Sequence, residues 1–279
     1  MAVAGVILSG CANSTKAVAP NAGAPSAIRY VAIGDSYSAG SLIPTTDVAN
    51  GCFRSDHDYP SLVARALGAK LQDHTCSGAT TSSFSASQYP DVPPQEKPLG
   101  KSTTLVTVGL GGNDQQVFRT LIERCPALRP SNPTGAPCRD EMRAGGGDVL
   151  LANLADTTKR LTTVLRQVHR RAPDAQVLAV GYPQIVDPAH VCAKLPLAAG
   201  DYAYAEQVNR ALTDAVRRAA AATGTTYVDV WGLSKGHDIC SDDPWVNGAQ
   251  DLKNKAPRYH PFLAEHEAVA KLVASMVQK

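Results

Sequence analysis

The sequence predicts an α/β protein, a three-layer α/β/α sandwich around a central, mostly parallel five-stranded sheet. Two observations carry this prediction. Short apolar runs alternate with amphipathic helical patterns, and several of the apolar runs open into a turn of small residues. Because strand and helix alternate throughout, the sheet should be parallel and covered on both faces, with right-handed crossovers. Neither a repeat nor a second domain is visible in the pattern.

The alternation is regular from residue 30 onwards. The predicted elements are strand 30–33, helix 59–67, strand 69–74, strand 103–108, helix 148–172, strand 176–181, helix 201–223, strand 225–230 and helix 262–277. Pro261 suits the first position of the last helix, which would leave His260 just outside it. Stretches between the elements are irregular, several of them rich in proline or containing cysteine, and we interpret them as loops.

Composition limits the classes of partner. The chain has 279 residues, of which 44% are hydrophobic and 19% charged, and this is enough for one sizeable core. A net charge of +2 without a long run of lysine or arginine argues against a nucleic-acid partner, because phosphate neutralisation needs clustered positive charge. We expect a soluble globular monomer.

The N-terminus suggests an exported lipoprotein. Residues 1–11 are small and apolar and end in Leu8-Ser9-Gly10-Cys11, which resembles a lipobox whose cysteine would be diacylated and tether the protein to a membrane. The usual positively charged start is missing, so either the true start lies upstream, which we favour, or the lipobox is accidental. Residues 12–27 then form a flexible tether, and residues 28–279 form a single domain.

Six further cysteines also indicate export. They lie at positions 52, 76, 125, 138, 192 and 240, without the close spacing of zinc ligands. Six cysteines allow 15 pairings. The simplest is sequential, Cys52–Cys76, Cys125–Cys138 and Cys192–Cys240, and we predict these three disulfides over the alternative of buried free thiols.

The first predicted strand leads into Gly34-Asp35-Ser36, which places a serine at the carboxyl end of the strand. Ligands bind at this edge of an open α/β sheet, so a hydroxyl presented there has access to a substrate. The alternative is an ordinary turn or helix cap, since aspartate and serine readily bond the local backbone.

Three other residues at strand or helix ends could take part in catalysis. Gly78 can bring its backbone N–H close to a ligand, or is simply a loop glycine. Asn113 follows the third strand and could cap a helix or donate from its amide to an oxyanion. His260 could be a base or only a surface residue before the last helix.

Together, four blocks in order resemble the SGNH hydrolase superfamily, the GDSL esterases and lipases: Gly34-Asp35-Ser36-Tyr37-Ser38, Ser77-Gly78-Ala79, Gly111-Gly112-Asn113-Asp114 and His260-Pro261. The chain looks most like the secreted, three-disulfide actinobacterial branch. The resemblance implies a flavodoxin-like SGNH fold and acyl-ester hydrolysis without metal or cofactor. It also implies that Ser36 is the nucleophile and His260 the base, and that the Ser36 and Gly78 N–H groups and the Asn113 amide form the oxyanion hole.

The chain departs from the family at the acid that usually stands three residues before the histidine, because that position is Pro257. In some of the actinobacterial branch a backbone carbonyl orients the histidine, and the resemblance implies that the Pro257 carbonyl does so here. Four aspartates remain as possible acids, at positions 238, 242, 243 and 251. His266 is a competing candidate for the base.

We therefore expect a serine esterase or lipase that hydrolyses acyl esters of lipids or acylated cell-envelope glycoconjugates, and that is secreted or anchored in the cell envelope. A carbohydrate O-deacetylase of the same fold is the first alternative, and a thioesterase is another. A ligand-binding lipoprotein without turnover is an alternative from a different class, but it predicts the loss of a serine, histidine or oxyanion residue, and all are present.

Overall fold

Five parallel strands form the central sheet of the computed structural model, which describes residues 1–3, 5, 27–252 and 255–277. In the order in which they lie side by side, they are β4 (Lys70–Asp73), β1 (Arg29–Gly34), β5 (Leu105–Gly109), β6 (Gln176–Val180) and β7 (Thr226–Val228). A separate antiparallel pair consists of β2 (Thr46–Asp47) and β3 (Arg54–Ser55). The predicted lipidation site Cys11 and nearly all of the predicted signal and tether lie outside the described residues.

Helices cover both faces of the sheet. Among the described residues they are α1 (Ser36–Ala39), α2 (Tyr59–Leu67), α3 (Val117–Arg119), α4 (Cys125–Leu128), α5 (Pro137–Arg143), α6 (Val149–Arg171), α7 (Tyr202–Ala221), α8 (Val230–Leu233) and α9 (Leu263–Met276). One apolar core lies between the sheet and α6 and α7, and a second lies between the sheet and α2 and α9. This arrangement confirms the predicted three-layer α/β/α sandwich.

Alternation of side chains along β1 explains how one strand serves both cores. Val31 and Ile33 belong to the core on the α6 side, whereas Tyr30 and Ala32 belong to the core on the α2 side. A central parallel strand is buried on both faces, so it is continuously apolar. None of the helices in the described ranges combines the length and apolarity needed to cross a bilayer.

Three disulfides have the predicted sequential pairing: Cys52–Cys76, Cys125–Cys138 and Cys192–Cys240. The second joins helices α4 and α5, and the other two join loops. The first lies beside the end of β1, since the N–H of Cys76 donates to the carbonyl of Gly34 at 3.0 Å. Each bridge constrains the unfolded chain and so favours the folded state.

The start of the last helix was predicted wrongly. Phe262, not His260, is the cap of α9, and Pro261 lies outside the helix. Pro261 instead forms an antiparallel bridge with Val246, and the N–H of Phe262 donates to the carbonyl of Trp245 at 2.8 Å. The missing N–H of proline is tolerated at such an edge position as well as at a helix start.

The side chain of Gln95 completes the sheet at the end of β1. Strand β4 pairs with β1 only as far as Ala32, and the buried Gln95 amide then takes its place beside Gly34. The N–H of Gly34 donates to Gln95 Oε1 at 2.9 Å, and Gln95 Nε2 donates to the Gly34 carbonyl at 3.0 Å. On the β4 side, the Gly34 N–H is therefore satisfied by a side chain, and the Gly34 carbonyl accepts from both Gln95 and the Cys76 N–H.

Replacing Gln95 with alanine should leave the buried Gly34 N–H without an acceptor, and we expect the free energy of unfolding to fall by about 1–3 kcal/mol. Gln72→Ala, at an exposed position on β4, is the matched control and should change it by less than about 0.5 kcal/mol. Urea unfolding with the disulfides intact measures both. Equal losses in the two variants would contradict this assignment.

Candidate active site

Ser36 is the first residue of α1, directly after β1 and at the carboxyl edge of the sheet. Asp35 caps this helix, because its Oδ1 accepts from the N–H of Tyr37 at 2.9 Å, and the N–H of Asp35 donates to the Gly109 carbonyl at 3.0 Å. A Cβ at position 34 would lie 2.2 Å from Ser38 Oγ, so only glycine allows the chain to turn this sharply. The position of Ser36 is therefore fixed by the end of β1, by the Asp35 cap and by Gly34.

His260 meets Ser36 across the whole length of the chain. Its Nε2 lies 2.9 Å from Ser36 Oγ, and its Nδ1 lies 2.7 Å from the carbonyl oxygen of Arg258. A carbonyl only accepts, so Nδ1 carries the proton and Nε2 is free to accept from the serine hydroxyl. This is the tautomer that a general base for Ser36 needs.

The carbonyl bonded to His260 Nδ1 is that of Arg258, not that of Pro257, which the family resemblance implies. The Pro257 carbonyl instead accepts from the backbone N–H of His260 at 3.2 Å and from Asn247 Nδ2 at 3.1 Å. It closes the tight turn from Pro257 to His260, in which Tyr259 has a φ of 60°. That turn directs the next carbonyl along the chain, that of Arg258, towards the imidazole.

Burial lowers the pKa of His260 below its ordinary value, and the bond to the Arg258 carbonyl offsets part of this effect. A lowered pKa keeps the imidazole neutral at physiological pH, the form that can accept a proton. The ring also packs against aromatic side chains, with centroids 5.6 Å from Tyr37 and 6.1 Å from Phe118. Tyr37 further donates from its hydroxyl to the Tyr259 carbonyl at 2.6 Å.

In the described part of the chain, none of the four candidate aspartates is hydrogen-bonded to His260. Asp251 pairs with Arg258, Asp238 with His190, and Asp243 with His237. The other candidate base, His266, is fully buried and accepts from the Tyr59 N–H at 3.1 Å, and burial lowers its pKa to about 3. His266 is therefore engaged away from Ser36.

Gly78 and Asn113 lie on turns that follow the two strands flanking β1. Gly78 is exposed and has a φ of 77°, a conformation that favours glycine. The side chain of Asn113 makes no helix-capping bond but donates to the carbonyl of Ala79 at 3.0 Å, which ties the two turns together. The neighbouring Asp114 strengthens this link, since both its carboxylate oxygens accept from Thr81.

Tyr182 connects the Ser36 turn to the Asn113 turn, and sequence reasoning missed it. Its hydroxyl donates to Asp35 Oδ2 at 2.6 Å and accepts from the N–H of Gly112 at 2.9 Å. Tyr182 follows β6 at the same sheet edge, so its position at the end of a predicted strand was the available signal. Gln95 and Tyr37 were also missed, because their partners are backbone groups far away in sequence.

An open groove begins at His260 and has a volume of about 1290 Å³. Its described lining is mainly apolar and comes from three parts of the chain: residues 42–46, residues 122–123 and 126 with Pro196, and residues 249, 251–252 and 256–260. Among the described residues, the charged side chains along it are Glu123, Asp251 and Arg258, and each has an ion-pair partner. The groove is larger than the roughly 300–1,000 Å³ of a typical small-molecule site, so an extended apolar ligand fits it.

Two buried carboxyl groups lie behind the Ser36 turn. Burial raises the pKa of Asp35 to about 7, although the bonds from Tyr182 and Tyr37 lower it in part. Burial raises the pKa of Glu265 to about 8, and its Oε2 has no hydrogen-bond partner in the described residues. Glu265 lines a small cavity with Tyr37, Tyr59 and Tyr182, so a protonated, uncharged carboxyl is favoured there at neutral pH.

Within the described ranges, one cluster has the donor set and spacing for a metal ion. Asp187, His190 and Asp238 place their ligand atoms within 4.8 Å of one another. The ion pair between His190 Nδ1 and Asp238 Oδ2, at 2.7 Å, accounts for the arrangement without an ion, and it raises the pKa of His190. The cluster is not part of the groove lining.

Comparison with known proteins agrees with this geometry. The sequence profile of the GDSL-like lipase/acylhydrolase family matches residues 32–267. Lipase 2 of Streptomyces coelicolor is 44% identical over 246 residues, which cover 86% of this chain and 82% of that protein. Lipase 1 of the same organism is 30% identical and covers 93% and 90% of the two chains.

Two solved structures resemble the fold closely. The phospholipase A1 of Streptomyces albidoflavus NA297 is 28% identical with a TM-score of 0.70. The extracellular lipase of Streptomyces rimosus is 27% identical with a TM-score of 0.72. In both cases the match covers 90% of this chain and all of the other.

Tyr182→Phe should remove both bonds that join the Ser36 and Asn113 turns. We expect kcat for a p-nitrophenyl ester to fall by about tenfold with KM little changed. The reason is that displacement of the Ser36 and Asn113 turns weakens contacts made mainly in the transition state. Tyr204→Phe is the control, since Tyr204 is also buried and its hydroxyl donates to Asp148 Oδ1 at 2.9 Å, away from Tyr182 and its partners. Wild-type kcat in Tyr182→Phe would show that the bridge does not position the site.

Glu265 should make stability decline as pH rises. Its folded-state pKa of about 8 lies above the ordinary 4.5, so the folded protein keeps a proton that the unfolded chain releases. The free energy of unfolding therefore falls as pH rises from about 4.5 to 8. The raised pKa of Asp35, about 7, makes the free energy of unfolding fall in the same way up to about pH 7.

Glu265→Gln should flatten this decline, most clearly between pH 7 and 8, in urea unfolding measured at a series of pH values. Glu267→Gln, exposed and two residues further along α9, should keep the wild-type slope. Curves of equal slope for wild type and Glu265→Gln would refute the buried-proton explanation.

Proposed function

The chain belongs to the GDSL-like lipase/acylhydrolase family and is a carboxylic ester hydrolase, and from this premise we propose that Ser36 is its nucleophile and His260 its general base. The observation that carries the proposal is the 2.9 Å contact between His260 Nε2 and Ser36 Oγ. A serine hydroxyl is a weak nucleophile until an adjacent base takes its proton. The neutral, Nδ1-protonated imidazole supplies that base.

In the proposed reaction, Ser36 Oγ attacks the ester carbonyl carbon while its proton passes to His260 Nε2. The tetrahedral intermediate collapses, the alcohol leaves with the proton from Nε2, and the acyl group remains on Ser36. Water then attacks this acyl-serine, again giving its proton to His260, and the carboxylic acid is released as Ser36 recovers its proton. The Arg258 carbonyl holds the imidazolium in place through Nδ1 during both steps.

We assign the oxyanion hole to the N–H groups of Ser36 and Gly78 and to Asn113 Nδ2. As the first residue of α1, Ser36 has an N–H without a helical acceptor. The amide nitrogen of Asn113 carries two hydrogens, and the bond to Ala79 uses one, which leaves the other for the oxyanion. Donors fixed before the reaction stabilise the developing charge without reorganisation.

The apolar groove supports a lipid-type ester with a long acyl chain. It begins at His260, so an acyl chain lying in it places its carbonyl near Ser36. The names of the similar proteins, lipase and phospholipase A1, point to the same substrate class. A carbohydrate O-deacetylase would have to bind a polar sugar in this mainly apolar groove, so we rank it second.

Three disulfides favour an extracytoplasmic location, because such bonds persist in oxidising compartments. We propose that the protein is secreted or attached to the cell envelope, with residues 28–279 as one catalytic domain acting as a monomer. The tether through Cys11 stays a prediction, and its test is mass spectrometry for diacylation of that cysteine.

Ser36→Ala should abolish hydrolysis of a p-nitrophenyl ester series from acetate to palmitate, with at least about a thousandfold loss of kcat. Ser38→Ala, a buried serine of the same short helix, is the control and should retain most activity. In the wild type, kcat/KM should rise by about tenfold or more from acetate to octanoate, as methylene groups become buried in the groove.

Activity retained in Ser36→Ala would exclude Ser36 as the nucleophile. A preference for acetate that declines steadily with chain length would overturn the lipid proposal and favour the deacetylase.

A further inference from the structure

His260 is held by a short antiparallel ladder between residues 245–248 and residues 259–262. Three backbone N–H groups donate across it: Phe262 to Trp245 at 2.8 Å, Asn247 to His260 at 2.9 Å and Tyr259 to Gly248 at 3.2 Å. Described residues between these segments, at positions 249, 251–252 and 256–258, line one wall of the groove. The base and the groove wall are thus parts of one hairpin.

Asn247 holds this hairpin from inside. Its side chain is only 2% exposed, and its Nδ2 lies 3.0 Å from the carbonyl oxygens of Gln250 and Ala256 and 3.1 Å from that of Pro257. A side-chain amide nitrogen has two hydrogens to share among these acceptors. One side chain therefore ties both ends of the loop to the ladder.

The bond from Asn247 to the Pro257 carbonyl affects the group that orients His260. The Pro257 carbonyl belongs to the peptide unit that precedes Arg258, and it also accepts from the backbone N–H of His260 at 3.2 Å. The Pro257 carbonyl and the His260 N–H are the two ends of one hydrogen-bonded turn, so fixing them restricts the φ and ψ angles of Arg258 and Tyr259 and with them the direction of the next carbonyl. The next carbonyl is that of Arg258, the group 2.7 Å from His260 Nδ1.

A second link closes the same loop at its surface, the ion pair between Asp251 and Arg258. Their side chains are 77% and 56% exposed, so solvent screens the pair and side-chain entropy opposes it. The Asn247 bonds are buried, and loss of the amide would leave buried carbonyls without donors. Of the two links, the buried amide should therefore dominate.

We propose that Asn247 is a positioning residue for the reaction, which acts through the Pro257–His260 turn to aim the Arg258 carbonyl at His260 Nδ1. The inference rests on the proposed role of His260 as the base. Asn247 does not touch the substrate in this account, and its effect falls on the orientation and tautomer of the imidazole. Its loss should lower kcat much more than it changes KM.

The test is steady-state hydrolysis of p-nitrophenyl butyrate by Asn247→Ala and Asn247→Leu, measured as a function of pH. The short acyl chain limits contacts with the groove wall. We expect kcat to fall by about 30-fold with KM within about threefold. The Nδ1–H bond to a carbonyl favours the imidazolium, so its loss lowers the pKa of His260 and should move the acid limb of kcat/KM to lower pH.

Two controls separate positioning from stability. Asn209→Ala removes another buried asparagine, which bonds the backbone of Pro183 and Ile185, and it should lower the melting temperature without moving the acid limb. Asp140→Asn removes an exposed ion pair with Arg139 on α5, outside the groove lining, and should leave both kcat and the acid limb near wild type.

Folded Asn247 variants with wild-type kcat and an unmoved acid limb would overturn the proposal. So would failure of both variants to fold while Asn209→Ala folds, since Asn247 would then serve the fold alone. Either outcome would leave the roles of Ser36 and His260 intact, because Ser36→Ala tests those roles separately.

Discussion

The hydrogen bond between Ser36 Oγ and His260 Nε2 joins residues 224 positions apart, and its 2.9 Å length demands that both partners be held rigidly. Ser36 is held by the end of β1, by the helix cap Asp35 and by the side chain of Gln95 on Gly34. His260 is held by the ladder of its hairpin. The Tyr37 hydroxyl, bonded to the Tyr259 carbonyl at 2.6 Å, connects the two supports directly.

Buried polar groups hold Ser36 and His260 in position, and their desolvation lowers the free energy of unfolding. Asp35, Tyr182 and Gln95 are buried in or beside an apolar core, where a polar group that lost its partner would be strongly unfavourable. Each of the three is satisfied by bonds to the backbone or to another of the set. Glu265 differs from these three, because its Oε2 has no partner in the described residues, and burial favours the protonated, uncharged carboxyl.

Much of the fold and the motif-bearing residues could be predicted, because these features leave local signals. Apolar runs marked the five strands, and small residues after them marked Ser36, Gly78 and Asn113. The supports of the site could not be predicted in the same way. Gln95 acts on Gly34 and Tyr182 on Asp35 from 61 and 147 positions away, and no local pattern reports such contacts.

Two errors have a common physical origin in backbone bonding. The family resemblance implies that the Pro257 carbonyl orients His260, and the local sequence pattern predicts Pro261 at the start of the last helix. Any residue has a carbonyl, so its direction depends on the turn and not on residue type. In the structure the Pro257 carbonyl is used by the turn itself, and Pro261 belongs to the ladder beside Val246.

A carbonyl in place of a carboxylate changes the electrostatics of the proposed base. A buried carboxylate beside Nδ1 would add a full negative charge and raise the pKa of the imidazole, whereas the Arg258 carbonyl offers only a dipole. Burial then lowers the pKa of His260, and the base stays neutral over a wider pH range. The imidazolium formed during the reaction is correspondingly less stabilised, so catalysis depends more on the aim of that single carbonyl. Because the same hairpin also forms the groove wall, substitutions there that alter substrate fit will also act on the base.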